Sequence, residues 1–199
     1  LEPIAEQRPL LGITVNHEKF YVPAHTSVLK ALECIGFSSL PFEEGTLRDT
    51  QIPAPCRTGG CWSCAVIVNG ELKPSCVTPV EDGMEIVTDR TAIAKRAPKR
   101  AVSSFQGHAV GGVGTPYWLK PRAFGLRFIE VACFAHGCRL RCPTCQNWQI
   151  TYSAVDEPLT PEGAARLMTY ERQRCRVDRM AISGGESTLN RSWLLAYLK

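Results

Sequence analysis

The chain has 199 residues, of which 44% are hydrophobic and 21% are charged. This length suits one good-sized domain or two small ones, and the composition excludes a disordered, collagen-like or coiled-coil chain. No stretch approaches 18 uninterrupted apolar residues, so no membrane span is predicted. Ten cysteines are too small a share for a disulfide-stapled secreted protein and no leader opens the chain, so we expect a cytoplasmic protein whose thiols hold metal.

Charge is distributed unevenly along the sequence. Residues 1–90 contain 7 basic and 12 acidic side chains, a net charge of −5, whereas residues 91–199 contain 16 and 7, a net charge of +9. The basic side chains of the second half are scattered between apolar segments and include no base-reading motif, so we predict no nucleic-acid partner. An acidic partner surface, with the N-terminal half as one candidate, is at least as good an explanation of this basic half.

The first half, residues 1–90, predicts a small β-rich domain. Two hairpin turns and one helix start are marked by local signals: Asn16-His17, Asn69-Gly70, and a helix cap at Thr26 or Ser27. The helix shows apolar residues at helical spacing, and a last strand is predicted over residues 84–88. The order hairpin, helix, loop, hairpin, strand predicts an α+β domain with one helix packed across a sheet.

Four cysteines surround the second hairpin with the spacing C-x4-C-x2-C-x11-C: Cys56, Cys61, Cys64 and Cys76. Three thiolates in one glycine-containing loop and a fourth returned by a hairpin suit a [2Fe-2S] cluster, and C-x4-C-x2-C is the plant-type spacing. Zinc is the alternative, because four converging cysteines can form a tetrahedral site. Structural zinc more often uses two C-x2-C pairs, and this domain has one. Cys34, on the helix, is predicted to be a core thiol.

The segment from Pro55 to Cys64, with Ser75-Cys76 and Asp82-Gly83 after the hairpin, resembles β-grasp [2Fe-2S] ferredoxin domains. The similarity covers roughly residues 10–90 and is nearest to the domains on molybdenum hydroxylase small subunits and on the large iron-sulfur subunit of respiratory NADH dehydrogenase. It implies a β-grasp ferredoxin-like fold and a built-in electron carrier.

Residues 91–122 are predicted to connect the two halves. Residues 91–104 suit a basic helix carrying Lys95, Arg96, Lys99 and Arg100, kinked at Pro98, with its charges in solvent. Residues 107–116 are too rich in glycine for a regular element and suit a linker or loop.

The third region, residues 123–199, begins with a predicted buried strand over residues 127–132. A loop follows with the spacing C-x3-C-x2-C, formed by Cys138, Cys142 and Cys145. Three thiolates on a [4Fe-4S] cluster leave one iron without a protein ligand. A helix starting at Thr160-Pro161 and a strand over residues 177–182 then lead into Gly184-Gly185-Glu186, a pattern that predicts the opening of a parallel βα array.

The three-cysteine loop followed by Gly184-Gly185-Glu186 after the next strand resembles the radical S-adenosylmethionine superfamily, in the branch of pyruvate formate-lyase activating enzyme. The resemblance implies an α/β partial (βα) barrel, a [4Fe-4S] cluster on the three cysteines, and S-adenosylmethionine chelated to the open iron. Gly184, Gly185 and Glu186 match the motif that receives its amino group. Thr144 stands where that family usually has an aromatic residue near the adenine, and Trp148 is a conceivable substitute.

Together the halves predict an iron-sulfur redox enzyme. The [2Fe-2S] domain would feed an electron to the [4Fe-4S] cluster, and S-adenosylmethionine would be cleaved to a 5′-deoxyadenosyl radical that abstracts hydrogen from a substrate, as in glycyl-radical activases. An electron donor such as a flavodoxin, ferredoxin or reductase, and a possible protein substrate, are the expected partners. No catalytic side chain is assigned. The alternatives are a non-catalytic iron-sulfur electron-transfer subunit and a zinc-stabilised interaction module.

Four further expectations concern the second half. A partial barrel of this type needs roughly 200 residues, so we expect the chain to be a piece of a longer protein. Cys133 is predicted to be a buried structural thiol and Cys175 to be inert. His136, in the loop ahead of the three cysteines, is predicted to cap backbone rather than to bind cluster or substrate.

Overall fold

The computed structural model describes residues 9–42, 45–109, 128–153 and 157–199. The chain divides into two compact units, Leu1–Ala97 and Pro98–Lys199. The boundary lies inside the predicted connector, whose residues 98–109 belong to the second unit. Within the described ranges, no helix is both long and apolar enough to cross a bilayer.

The first unit is an α+β domain around a five-stranded sheet of order β2-β1-β7-β5-β6. Its elements are β1 Leu10–Val15, β2 Glu18–Pro23, α1 Val28–Cys34, β3 Ser38–Leu40, β4 Gln51–Pro53, β5 Ala65–Val68, β6 Glu71–Pro74, β7 Glu85–Val87 and α2 Arg90–Ala94. Strands β1 and β7 are parallel, and the other pairs of this sheet are antiparallel. A separate parallel pair, β3 and β4, precedes the first cysteine loop.

Local turn chemistry explains both predicted hairpins. Asn16 and His17 have φ of 49° and 74°, and Asn69 and Gly70 have φ of 48° and 83°, the left-handed backbone of a two-residue hairpin turn. The turn at Asn69-Gly70 joins β5, which is buried along its whole length, to the half-exposed β6.

Helix α1 begins where the sequence predicts. The Ser27 side chain accepts a hydrogen bond from the Lys30 backbone N–H at 3.2 Å, which caps the helix. Its buried stripe, Val28, Leu29, Ala31 and Leu32, packs into the core of the sheet. Cys34 lies off this stripe and is exposed, so its prediction as a core thiol is wrong.

The second unit contains a three-stranded sheet of order β10-β9-β8. Its elements are β8 Val102–His108, β9 Glu130–Ala135, α3 Trp148–Thr151, α4 Pro161–Cys175, β10 Met180–Gly184 and α5 Arg191–Tyr197. Strands β9 and β10 run parallel, with Met180 opposite Val131 and Gly184 opposite Ala135, as a βα array requires. The partial barrel remains a prediction.

The basic helix predicted over residues 91–104 forms only at its start, as α2, and strand β8 begins at Val102. Helix α2 ends at Ala94, and residues 102–108 pair antiparallel with β9. Lys95 and Arg96 are exposed as predicted, whereas Arg100 is fully buried. Residues 102–108 form a strand because they pair with β9, which lies more than twenty residues further along the chain. The local charge pattern does not indicate that pairing. Of the predicted glycine-rich loop, Gly107 and His108 end β8, and residues 110–116 lie outside the described ranges.

Helices α4 and α5 cover one face of this sheet through Ala164, Met168 and Trp193, which pack with Val131 and Cys133 of β9. The Thr160 hydroxyl accepts from the Gly163 N–H at 3.2 Å, so α4 is capped as predicted. The Trp193 Nε1–H donates to the Leu159 carbonyl at 2.8 Å. These contacts place the amino end of α4 and the loop before it against α5.

Candidate metal centres

The first candidate centre is built by the β5–β6 hairpin and the loop before it. Cys56, Cys61 and Cys64 lie between β4 and β5, and Cys76 follows β6. The Ser75 hydroxyl and backbone N–H both donate to the Cys64 carbonyl, at 2.7 and 3.3 Å. The hairpin therefore returns Cys76 to the position beside Cys64.

The cysteine loop curls back on itself through left-handed residues. Arg57, Gly59 and Trp62 have φ of 53°, 79° and 63°. The Arg57 guanidinium donates to the Ser39 hydroxyl at 2.6 Å, and Ser39 in turn donates to Glu33 at the same distance. Helix α1 and strand β3 thus hold the loop from outside. The Ser39 hydrogen bond is the main cause that lowers the pKa of Glu33 from its ordinary value, with Lys30 and Arg57 adding to it against a partial burial.

The four thiols of this centre contact one another. Hydrogen bonds from Cys61 and Cys76 lower the pKa of Cys56, and the bond from Cys76 lowers the pKa of Cys64 against the effect of burial. The pKa values of Cys61 and Cys76 are raised, first by those bonds and then by burial. Metal binding would displace the protons that these thiols hold in a site shielded from solvent.

This arrangement fits a [2Fe-2S] cluster. Cys56, Cys61 and Cys64 are at most 1% exposed, and the Thr58 backbone N–H donates to the Cys56 sulfur at 3.4 Å, as it would to a cluster thiolate. A [2Fe-2S] rhomb takes two thiolates on each iron, so four cysteines complete its protein ligands.

The second candidate centre lies after β9 and is more open. Cys138 is 8% exposed, Cys145 is half-buried and Cys142 is exposed. The Leu140 backbone N–H donates to the Cys138 sulfur at 3.4 Å, and the Cys145 N–H donates to the Cys142 carbonyl at 3.2 Å. The loop fits a cluster at its buried end and leaves its other end facing solvent.

Tyr152, directly after α3, lies near the three cysteines of this loop. Desolvation is the first cause that raises its pKa, and the charges of Cys138, Cys145 and Cys142 raise it further. The Arg141 guanidinium lies 4.6 Å from the centre of the Tyr152 ring, a cation-π distance. One aromatic ring therefore borders the loop that carries all three candidate ligands.

Gly184-Gly185-Glu186 lies directly against the start of this cysteine loop. The Gly185 N–H donates to the Ala135 carbonyl at 2.8 Å, and the Glu186 N–H donates to the Gly137 carbonyl at 3.0 Å. A Cβ added at Gly184 would lie 2.6 Å from the Ala135 oxygen, so the approach requires glycine. The predicted glycine turn is therefore hydrogen-bonded to Gly137, the residue directly before Cys138.

Glu186 is half-buried and caps the short 3-10 turn Ser187–Leu189. Its Oε1 accepts from the Thr188 hydroxyl at 2.5 Å and from the Thr188 N–H at 3.4 Å. Both of these bonds are to Oε1, and the other carboxylate oxygen, Oε2, takes part in neither. A carboxylate held in this way is suited to bind an ammonium.

Two buried residues of this region, His136 and Arg100, differ in how well their placement was predicted from the sequence. His136 is fully buried; its Nδ1–H donates to the Ser153 carbonyl at 2.7 Å, and its Nε2 is 2.8 Å from the Ser103 hydroxyl. The prediction that it caps backbone is confirmed. Arg100 was predicted to be exposed but is fully buried, because the local sequence does not distinguish a buried arginine from an exposed one. The apolar pair Ala101-Val102 after it was the one available signal.

Cys133 is fully buried in β9, as predicted, and burial is the main cause that raises its pKa to about 11. Its sulfur lies 3.8 Å from the Tyr197 hydroxyl of α5. It packs within the core of the second unit as a structural thiol.

Comparison with known families supports both centres. Residues 8–91 match the family described as a 2Fe-2S iron-sulfur cluster binding domain, and residues 124–199 match the family described as a 4Fe-4S single cluster domain. The first region contains Cys56, Cys61, Cys64 and Cys76, and the second contains Cys138, Cys142 and Cys145. The chain is an iron-sulfur protein with a [2Fe-2S] domain followed by a [4Fe-4S] domain.

Two archaeal relatives carry the same class name. An uncharacterized iron-sulfur protein of Methanocaldococcus jannaschii is 44% identical over 69 residues, which is 35% of this chain and 13% of that protein. One from Methanococcus maripaludis is 38% identical over 73 residues, 37% of this chain and 13% of that protein. The aligned segment spans about an eighth of the length of either relative.

Two solved structures are similar to part of the chain. Quinoline 2-oxidoreductase from Pseudomonas putida 86 aligns with a TM-score of 0.30 and 24% identity, over 41% of this chain and 46% of that one. A NAD+-reducing [NiFe]-hydrogenase in its H2-reduced state aligns with a TM-score of 0.29 and 22% identity, over 43% and 33%.

Proposed function

We propose that this protein transfers electrons from its [2Fe-2S] domain to its [4Fe-4S] domain, and that the second centre uses them on S-adenosylmethionine. The first centre supports the carrier role, because four thiolates, two on each iron, would complete the ligands of a [2Fe-2S] rhomb. The second centre supports the reactive role, because three thiols leave one iron of a cubane open.

A single observation carries the finer proposal: the glycine turn after β10 is hydrogen-bonded to the backbone that leads into the cysteine loop. The bonds from Gly185 to Ala135 and from Glu186 to Gly137 bring an anion-bearing turn beside a three-cysteine loop. A ligand with an ammonium and a carboxylate could chelate the open iron and meet the Glu186 carboxylate at the same time. An amino acid moiety such as that of S-adenosylmethionine has both groups.

The residues of the chain have separate tasks in this function. Gly184 and Gly185 allow the turn to approach the loop, and Glu186 offers its carboxylate to the amino group of the ligand. Cys138, Cys142 and Cys145 would hold the cluster. When bound, the cluster and the cofactor supply one-electron cleavage of the sulfonium C–S bond, which yields methionine and an alkyl radical that abstracts a hydrogen atom. A flavodoxin, ferredoxin or reductase would supply the electron, and a protein is a possible substrate.

The test is reductive cleavage of S-adenosylmethionine by the full-length, anaerobically reconstituted protein with dithionite. We expect methionine and 5′-deoxyadenosine to form in equal amounts, and Cys142→Ser to abolish both while the [2Fe-2S] signal remains. Cys34→Ser, which changes an exposed thiol in the first unit, serves as the matched control. Cleavage that persists in Cys142→Ser would contradict the proposal.

The second candidate is a non-catalytic electron-transfer subunit. It is favoured by the two family matches, which describe cluster binding and no reaction. This candidate predicts two reversible one-electron centres, with no effect of S-adenosylmethionine on the spectrum of the second. A shift of that spectrum on addition of the cofactor would decide in favour of the first proposal.

A further inference from the structure

Arg100 lies between the two regions that match known families, residues 8–91 and 124–199. Its side chain is nevertheless fully buried in the second unit, just ahead of strand β8. Burying a guanidinium is costly unless its donors are satisfied. The partners of Arg100 therefore indicate what the side chain holds together.

The guanidinium bonds to backbone oxygens from two separate segments. Its Nη2 donates to the Glu186 carbonyl at 2.7 Å and to the His136 carbonyl at 3.1 Å, and its Nη1 donates to the Ser187 carbonyl. His136 is two residues ahead of Cys138, and Glu186 and Ser187 form the turn after β10. One side chain therefore joins the cysteine loop to the glycine turn.

The backbone of Arg100 is fixed as firmly as its side chain. Its N–H donates to the Leu159 carbonyl at 3.1 Å, and its carbonyl accepts from the Leu159 N–H at 2.8 Å. The next carbonyl, of Ala101, accepts from the His136 N–H at 3.0 Å. Since both ends of the arginine are held, the guanidinium can fix the position of the segments that it bonds.

The positive charge of Arg100 also acts on Cys133 in strand β9, the strand that leads into the cysteine loop. Burial is the main cause that raises the pKa of Cys133 in β9, and the positive charge of Arg100 opposes that rise. A cluster on the loop that continues from β9 gains a negative charge when it is reduced. A buried cation near that loop favours the reduced form.

We infer that Arg100 is the positioning residue of the second centre, which sets the geometry between the three-cysteine loop and the Gly184-Gly185-Glu186 turn and favours reduction of the cluster held there. The ligand-binding part of this inference rests on the proposed use of S-adenosylmethionine. The part that concerns the reduction potential does not.

The experiment compares Arg100→Met and Arg100→Lys with the wild type in the full-length protein carrying both clusters. Arg100→Met removes the charge and the fork of donors; Arg100→Lys keeps the charge but cannot span carbonyls on two segments. Arg96→Met is the matched control, since Arg96 is exposed on the same segment.

Without S-adenosylmethionine, we expect Arg100→Met to make reduction of the [4Fe-4S] cluster at least tenfold less favourable, which is 59 mV for one electron. Arg100→Lys should keep most of the potential. The [2Fe-2S] potential should not change in any variant and serves as an internal standard. An unchanged [4Fe-4S] potential in Arg100→Met would overturn the electrostatic part of the inference.

With S-adenosylmethionine, both Arg100 variants should bind at least tenfold more weakly than wild type, as judged by perturbation of the cluster spectrum. Wild-type affinity in Arg100→Lys would overturn the positioning role. If the wild type itself shows no binding, the proposed function fails while the potential measurement still stands. If both Arg100 variants lose the circular dichroism of the second unit, the role is structural only and the inference fails.

Discussion

The two cysteine groups of this chain differ in how completely the protein encloses them. In the first unit, four thiols contact one another, and three of them are nearly inaccessible. In the second unit, three cysteines grade from buried Cys138 to exposed Cys142. A closed set of protein ligands suits electron storage, whereas an incomplete set on an accessible loop suits binding of a further ligand. The number and the burial of the neighbouring thiols therefore distinguish the two candidate centres.

The supports of the two loops differ in the same way. The first loop is held from outside by side chains, through Arg57, Ser39 and Glu33. The second loop is held by backbone hydrogen bonds to the glycine turn and by the side chain of the buried Arg100. We therefore expect substitutions near the second centre to have larger effects than substitutions around the first, except at the ligands themselves.

Loss of a single cysteine ligand should have the largest effect, and only on the centre to which that cysteine belongs. Anaerobic wild type should carry about six irons, two in the rhomb and four in the cubane. Cys61→Ser should lower this to about four and remove only the [2Fe-2S] signal, and Cys142→Ser should lower it to about two and remove only the [4Fe-4S] signal. Iron analysis with electron paramagnetic resonance of the reduced protein checks both. Simultaneous loss of both signals in either variant, or stoichiometric zinc, would refute two independent centres.

Filling the glycine turn is expected to have the next largest effect. In Gly185→Ala the new methyl group would overlap the Gly137 backbone, so either the turn or the cysteine loop must move. Such overpacking costs about 3 kcal/mol and should reduce occupancy of the [4Fe-4S] centre alone. Urea unfolding and iron analysis measure the two effects.

Gly163→Ala is the control for that substitution, because its new methyl group would lie 3.4 Å from the Thr160 hydroxyl oxygen in helix α4. There alanine should change stability by less than about 1 kcal/mol, in the stabilising direction. Equal losses in the two variants would show that the turn is not especially tight.

Alkaline pH should weaken the second unit through Cys133. Burial raises the pKa of Cys133 from 9.0 to about 11, so the folded state favours the protonated thiol. The stability this provides is complete below pH 9 and is lost as pH rises toward 11, by about 3 kcal/mol. Urea midpoints between pH 8 and 11 should decline less steeply in Cys133→Ala than in wild type. Parallel declines would show that the thiol does not titrate in this window.

The smallest effect is expected at the side-chain support of the first loop. The lowered pKa of Glu33 means that its carboxylate stabilises the unit above its ordinary pKa of 4.5 and that this contribution is lost as pH falls through the lowered value. Glu33→Gln should cost about 0.5 kcal/mol at pH 7, as for other accessible ion pairs. Chemical denaturation at pH 7 and pH 3 measures it. Glu18→Gln, at an exposed side chain on β2, is the control and should change neither midpoint.

Features fixed by neighbouring residues could be predicted from the sequence. The turns at Asn16-His17 and Asn69-Gly70 and the caps at Ser27 and Thr160 follow from short-range hydrogen bonds and backbone preference. The cysteine spacings likewise indicated which thiols the structure would bring into one loop.

Features that depend on distant partners could not be predicted in the same way. Strand β8 exists because β9 pairs with it, and the burial of Arg100 depends on carbonyls more than thirty residues away. Cys34 was misplaced for a related reason: helical periodicity identified the buried stripe, but one thiol at the end of a seven-residue helix can face either way.

Strand β10 has a consequence for the solution behaviour of this protein. It forms one edge of the three-stranded sheet, and among the described residues no strand pairs with its outer side. Met180, at its start, is 52% exposed. A row of unpaired peptide groups beside apolar side chains is a template for intermolecular strand addition. Colloidal stability of this chain should therefore fall with concentration unless that edge is covered, and light scattering of Met180→Lys, which places a charge on the edge, should show less self-association than wild type.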